Sequence, residues 1–235
     1  SHMLTSLCQD NEGYVWIGTE YGLNRFDGMV FTHYYTYNNT LVDNYIHDLF
    51  VDDQGDLLVI SGRTLQIYDR ESDTFLNVNF PENHVPVLSD IVQMSDGTLI
   101  VSNSKKGLWR VDKSSMTASL MPDVSFCLGK CEVQALYRDS KERLWICTNN
   151  DGLFRYDYPS GRVEHLLLPG HSESLRGVSG VTEYKDGRPI VLGLSDVYTY
   201  NEQTEQLDLL FTFDHTISVR RLYQSSDGTL YTGSY

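Results

Sequence analysis

Around Trp16 the apolar residues do not favour one side. In an extended strand Tyr14, Trp16 and Gly18 point one way and Val15 and Ile17 the other, so both faces are apolar and both need covering. An acidic turn, Asp10-Asn11-Glu12-Gly13, precedes this run, and Gly22-Leu23 ahead of Arg25-Phe26-Asp27 follows it. The pattern predicts four short strands, A to D: A ends in an acid, a tight turn leads to B, a variable loop to C, and a short turn to D. Strand D is predicted over 30–35 and again over 162–167. No helical period interrupts the pattern.

The arrangement recurs. Leu4 to Asp27 returns as Val133 to Asp157, and weaker copies begin at Ile46, Leu88, Val178 and Val219, the last one incomplete. The third residue after each turn is Trp16, Leu58, Ile100, Trp145, Ile190 and Tyr231, giving intervals of 42, 42, 45, 45 and 41. Gly55, Gly97, Gly187 and Gly228 are expected to supply the positive φ of these turns. Asp10, Asp96, Asp139, Asp186 and Asp227 read as equivalent acids capping the same turn. Asp52-Asp53-Gln54-Gly55-Asp56 resembles a calcium loop, but the recurrence of its acids favours backbone capping.

Sheets apolar on both faces at a blade-sized period predict an all-β chain of four-stranded antiparallel β-propeller blades. Five complete blades and part of a sixth are expected, a fragment of a seven-bladed ring. Their bounds are 4–45, 46–87, 88–132, 133–177, 178–217 and a partial 218–235, after a cloning scar at 1–3. Trp16, Trp109 and Trp145 are expected between blades, not in a ligand site.

Charge narrows the partners. With 18 Lys and Arg against 32 Asp and Glu, the net charge of -14 repels phosphate backbones and anionic lipids, so no nucleic acid contact is expected. No apolar run approaches the roughly 18 residues of a membrane span. Any membrane contact would come through segments outside this chain. Cys8 and Cys147 fall on predicted strands as small buried thiols, whereas Cys127 and Cys131 flank a short loop and would form a disulfide only in an oxidising compartment. Neither metal-ligand spacing nor a cofactor motif is present, and neither a metal nor a cofactor is expected.

Catalytic constellations are also missing from the pattern. His33, His165 and His215 fall on or near D strands, His47 starts an A strand, and His84 and His171 lie in loops between blades, so none converge with carboxylates. The B-to-C loops differ most between repeats and become the candidate ligand-binding elements. They carry Glu20-Tyr21, Gly62-Arg63, Ser104-Lys105-Lys106, Asn149-Asn150-Asp151 and Ser195-Asp196. Tyr21, Arg63, Lys105, Lys106, Asn149 and Asn150 are the candidate contacts for hydroxyls and acidic sugar groups.

The segment Gly13 to Thr19, followed by Gly-Leu-x-Arg-Phe/Tyr-Asp at Gly22 to Asp27 and Gly152 to Asp157, resembles the two-component regulator propeller repeat. Leu58, Ile100 and Ile190 depart from it where Trp is preferred. The resemblance implies the N-terminal periplasmic sensor region of a hybrid two-component system, with its histidine kinase outside this chain, controlling glycan utilisation genes in response to oligosaccharides. It implies an oligosaccharide or other small-molecule ligand, further blades and a homodimer partner, and no catalysis by this region. A propeller-fold lyase or hydrolase and a protein-interaction scaffold are the alternatives.

Overall fold

The computed structural model describes residues 3–81, 87–103, 107–129, 131–169, 177–213, 219–225 and 227–234. The fold is all-β: the described residues form five four-stranded antiparallel sheets and one two-stranded sheet, each with its strands in sequence order. It divides into two compact units, Ser1–Asn103 with Leu108–Leu120, and Ser104–Gly107 with Met121–Tyr235.

The first unit holds three sheets. They are β1 (Leu4–Gln9) to β4 (Phe31–Tyr34) through β2 (Val15–Thr19) and β3 (Gly22–Phe26); β5 (Ile46–Val51), β6 (Leu57–Ser61), β7 (Thr64–Asp69) and β8 (Thr74–Asn77); and β9 (Leu88–Gln93), β10 (Leu99–Asn103), β11 (Gly107–Asp112) and β12 (Thr117–Leu120). Strand β6 is buried along its whole length. Leu57 and Val59 join Trp16, Tyr34 and Tyr68 in one core, while Leu58 and Ile60 join Ile91, Val101 and Trp109 in another. This is the two-sided burial that the alternation requires.

In the second unit a short helix, α1 (Pro122–Leu128), precedes β13 (Val133–Arg138), β14 (Arg143–Thr148), β15 (Leu153–Asp157) and β16 (Arg162–Leu166). The next sheet is β17 (Val178–Glu183), β18 (Pro189–Gly193), β19 (Asp196–Asn201) and β20 (Gln206–Thr212), followed by the hairpin β21 (Val219–Gln224) and β22 (Leu230–Ser234). Trp145, Val181, Val191, Tyr198 and Tyr200 share one core between the two four-stranded sheets. Of the six marker positions five are buried, but Tyr231 is 56% exposed on β22, whose sheet has only two strands.

The helix departs from the loop expected around Cys127. Pro122 in its first turn, Asp123 near its N-terminus and Gly129 at φ 58° as C-cap are local helix signals, and Val124 and Leu128 anchor it. Cys127 sits exposed on the helix and Cys131 lies half-buried beyond it; all four cysteines are free thiols. Cys147 is buried as expected, whereas Cys8 is half-buried beside the first core.

A bulge near the start of strand A recurs in every A–B pair. Pairing skips a residue between Leu4 and Ser6, Ile46 and Asp48, Val133 and Ala135, Val178 and Gly180, and Val219 and Arg221. In the third sheet the extra residue likewise lies on strand A, where the three steps from Leu88 to Ile91 face the two from Asn103 to Val101. His47 occupies such a bulge and is exposed.

The turn glycines behave as their spacing requires, with φ of 87° at Gly55 and 82° at Gly187. In the fourth sheet a non-glycine, Glu142, holds the same position at φ 61°. An L-residue there costs about 1 kcal/mol, and the 3.5 Å ion pair of Glu142 with Arg138 returns little at the surface. Glu142→Gly is expected to raise the unfolding free energy by about 0.5 kcal/mol, after its own chain-entropy cost. Urea denaturation would measure the change.

Candidate functional site

Two ends of each sheet are available to a ligand. A–B and C–D turns share one end, and B–C turns share the other with the connections from D to the next A. The turns at the first end are closed by side-chain hydrogen bonds. Asp10 Oδ1 accepts the N–H groups of Glu12 and Tyr14, Asp52 Oδ1 those of Gln54 and Asp56, and Asp139 Oδ1 those of Lys141 and Arg143. The second oxygen looks inward: Trp16 Nε1 donates to Asp10 Oδ2 and Trp145 Nε1 to Asp139 Oδ2, both at 2.8 Å. These three acids are 5%, 4% and 2% exposed.

The acids expected to be equivalent therefore form two sets. Asp10, Asp52 and Asp139 open the turn, where Met94, Tyr184 and Ser225 stand in the other repeats. Asp96, Asp186 and Asp227 come two residues later and cap the N–H of Thr98, Arg188 and Thr229. The later acid lies too far along the turn to reach a tryptophan on strand B, and its repeats carry Ile100, Ile190 and Tyr231 there.

A cation from the following sheet meets the buried acid in the first unit. Arg70 reaches Asp10 Oδ2 at 3.4 Å and Glu12 at 3.0 Å, and Lys113 Nζ reaches Asp52, Asp56 at 2.6 Å and Gln54 at 2.9 Å. Burial alone would lower the Lys113 pKa, but its hydrogen bonds with Asp52 and Asp56 outweigh that and raise it. The second unit reverses the polarity. There Arg143 satisfies Asp139 from the same strand at 2.6 Å, and Glu202 of the next sheet accepts from Arg143 at 2.9 Å and from Lys141 at 2.8 Å.

The motif arginines are also held in the structure. Arg25 lies over the rings of Tyr14, Trp16 and Tyr34 and donates to Tyr68 Oη at 2.8 Å. Tyr34 and Tyr68 both donate to Asp73 Oδ1. Arg155 repeats the bridge with Tyr200 and Glu164.

At the other end stand the residues nominated from sequence. Tyr21 is 57% exposed in the β2–β3 turn, with its N–H held by Thr19 Oγ1. Arg63 is exposed in the β6–β7 turn beside Gly62, whose N–H donates to Tyr45 O at 2.8 Å. Asn149 and Asn150 are exposed in the β14–β15 turn, where Asn149 N donates to Glu132 O. These turns belong to different units and different sheets. Lys105 and Lys106 lie outside the described residues, as do His84, His171 and His215. Asp196 is no loop residue: it begins β19 and is 4% exposed.

Beside Asn150, Cys131 Sγ donates to Asp151 Oδ2 at 3.3 Å, and His165 Nε2 lies 2.6 Å from Asp151 O. Burial and the Asp151 hydrogen bond push the Cys131 thiol up to about 11, so it stays protonated and weakly nucleophilic at neutral pH. No group of three or more His, Cys, Asp or Glu among the described residues is arranged to hold a metal.

The sequence did not single out a hollow of about 620 Å³ at the first end, inside the first unit. Gln54 and Asp56 come from one A–B turn, Thr98 from the next, and Arg110, Asp112, Lys113 and Ser114 from β11 and its turn. Arg110 is exposed, while Lys113 is committed to Asp52 and Asp56. Hydrogen bonds from Ser114 and Ser115 hold the Asp112 carboxyl down to about 2. A carboxylate so acidic is a poor proton donor or acceptor near neutrality, so the hollow is equipped to hydrogen-bond and to offer one guanidinium.

Propeller blades are what this architecture defines: the chain superposes on known propellers. Residues 1–21 and 127–150 match the family described as two component regulator propeller. The extracellular domain of the hybrid two component system BT4673 from B. thetaiotaomicron superposes with a TM-score of 0.85 at 18% identity, over 99% of this chain and 34% of that one. That of BT3049 from the same organism gives 0.78 at 18%, over 98% and 32%. Virginiamycin B lyase from Staphylococcus aureus gives 0.77 at 11%, over 97% and 76%. The chain thus spans about a third of the length of the two extracellular domains. No curated relative matches it in sequence.

Two outcomes follow for the turns. Asp139→Ala removes the acceptor of the buried Trp145 Nε1 and of Arg143 Nε, while Glu202 still accepts from Arg143, and is expected to cost about 3–5 kcal/mol, read by chemical denaturation. For Glu202, burial acts to raise the pKa, but Lys141 and Arg143 outweigh it and lower it below 4.5. Its contribution to stability is therefore full above that ordinary value and lost as pH falls through the depressed one. Glu202→Gln should lower Tm at neutral pH and flatten the fall in Tm below about pH 4.5.

Proposed function

We propose that this chain is part of the extracytoplasmic, periplasmic sensor region of a hybrid two-component protein, that it binds an oligosaccharide, and that it performs no chemistry itself. The kinase and the control of glycan utilisation genes belong to segments beyond this chain. The observation that carries the reading is the regulator-propeller repeat at 1–21 and 127–150, together with superposition on extracellular domains of hybrid two component systems. Additional support comes from chemistry. The tryptophans and the two strand-C arginines over tyrosine rings are consumed in packing, and the exposed polar groups are hydrogen-bonding amides, hydroxyls and guanidinium groups suited to polyols. No helix among the described residues is long and apolar enough to cross a membrane.

Two kinds of surface compete for the ligand: the B–C turns of either unit, with Tyr21 and Arg63 in the first and Asn149 and Asn150 in the second, and the hollow beside Arg110 in the first. Calorimetry and thermal shift against neutral and uronate-containing oligosaccharides test both. Binding is expected to raise Tm, corresponding to about 2.7 kcal/mol when ligand exceeds Kd by about 100-fold. Loss of binding in Arg63→Ala or in Arg110→Ala assigns the surface. Absence of heat and of a Tm shift across the panel, or turnover of a polysaccharide by the purified chain, would overturn the reading.

A further inference from the structure

The hollow in the first unit sets one guanidinium apart. Arg110 is the third-sheet counterpart of Arg25 and Arg155, the arginine of the Gly-Leu-x-Arg run in strand C. Those two are held: Arg25 donates to Tyr68 Oη at 2.8 Å, and Arg155 pairs with Tyr200 Oη and Glu164. Arg110 is exposed, and among the described residues it has no hydrogen-bond or ion-pair partner.

The other charges that line the hollow are already engaged. Lys113 directs its three N–H donors at Asp52, Asp56 and Gln54, which leaves none for a ligand. Asp112 accepts from Ser114 N at 2.9 Å, Ser114 Oγ at 2.6 Å and Ser115 Oγ at 2.7 Å, all within its own turn. Asp69 caps the equivalent turn through Glu71 N and Ser72 Oγ, so Asp112 serves the fold. No aromatic side chain is among the described lining residues. A neutral sugar would find only hydrogen bonds here, for which water competes on nearly equal terms, whereas a carboxylate would gain a bidentate, charge-assisted pair.

We infer that this hollow, between the A–B turns of the second and third sheets and β11, is an acidic-sugar site in which Arg110 clasps the carboxylate of a uronic acid residue. Gln54, whose Oε1 holds Lys113 Nζ at 2.9 Å, offers its Nε2 to ring hydroxyls, and Ser114 Oγ, while donating to Asp112, still accepts. The volume of about 620 Å³ suits a short oligosaccharide. The net charge of -14 does not forbid the pairing, since a carboxylate in contact with a guanidinium answers to that neighbour and charges beyond about 10 Å are screened. The assignment rests on the oligosaccharide-binding reading above and narrows it to one surface and one sugar class.

Calorimetry of the 235-residue chain tests this with short oligomers of galacturonic, glucuronic and mannuronic acid, each beside its methyl ester, which keeps every ring hydroxyl and removes the charge. At least one oligouronate is expected to bind, and its ester at least about 10-fold more weakly. Arg110→Gln should bring the acid down to the affinity of the ester and leave the ester unchanged. Arg110→Lys, which keeps the charge but not the fork, should recover part of the loss. Arg63→Gln should leave binding unchanged. Circular dichroism melts establish that each variant is folded. Equal binding of acid and ester, acid binding that survives Arg110→Gln, or neutral oligosaccharides bound and lost in Arg63→Gln would overturn the acidic-sugar site while leaving oligosaccharide binding in place. Silence of every acid, ester and neutral oligosaccharide would overturn both.

Discussion

A sheet with apolar side chains on both faces cannot stand alone in water, and this constraint governs the chain. Strand β6 states it most directly: Leu57 and Val59 go to one neighbour, Leu58 and Ile60 to the other, all four fully buried. Each such side chain contributes about 1.5–3 kcal/mol when covered, so stability accrues between sheets and not within them. The polar features of the fold are arranged around keeping adjacent sheets in register.

The buried aspartate at the A–B turn is the chief of these. One oxygen closes the turn and the other holds the indole of strand B, which packs against the next sheet; Trp16 lies 4.9 Å from the Tyr68 ring and Trp145 5.2 Å from that of Tyr200. Turn, strand and neighbour are thus tied through one carboxylate. On the ligand-binding reading proposed above, this tie holds the loops of adjacent sheets at a fixed spacing.

The period, the two-sided strands and the turn glycines were legible because each is a property of a single repeat. Gly55 and Gly187 need positive φ wherever their neighbours lie, and Leu57 to Ile60 must be covered on both sides whatever covers them. What escaped the sequence depends on a second element. The difference between Asp10 and Asp96 becomes visible only when one of them meets an indole, the bulge beside His47 only when β5 is paired with β6, and the hollow near Arg110 only when two turns are juxtaposed.

The reversal of charge between sheets has a consequence for how such a chain keeps its order. Arg70 and Lys113 answer acids from the preceding repeat, but Glu202 answers Arg143. If the fifth repeat docked after the first, Glu202 would confront Asp10 and Glu12; if the fourth docked before the second, Arg143 would crowd Arg70. Nearly identical modules joined in series are prone to shuffled docking while they fold. The sign of these side chains distinguishes the fifth repeat, which offers Glu202, from the second and third, which offer Arg70 and Lys113.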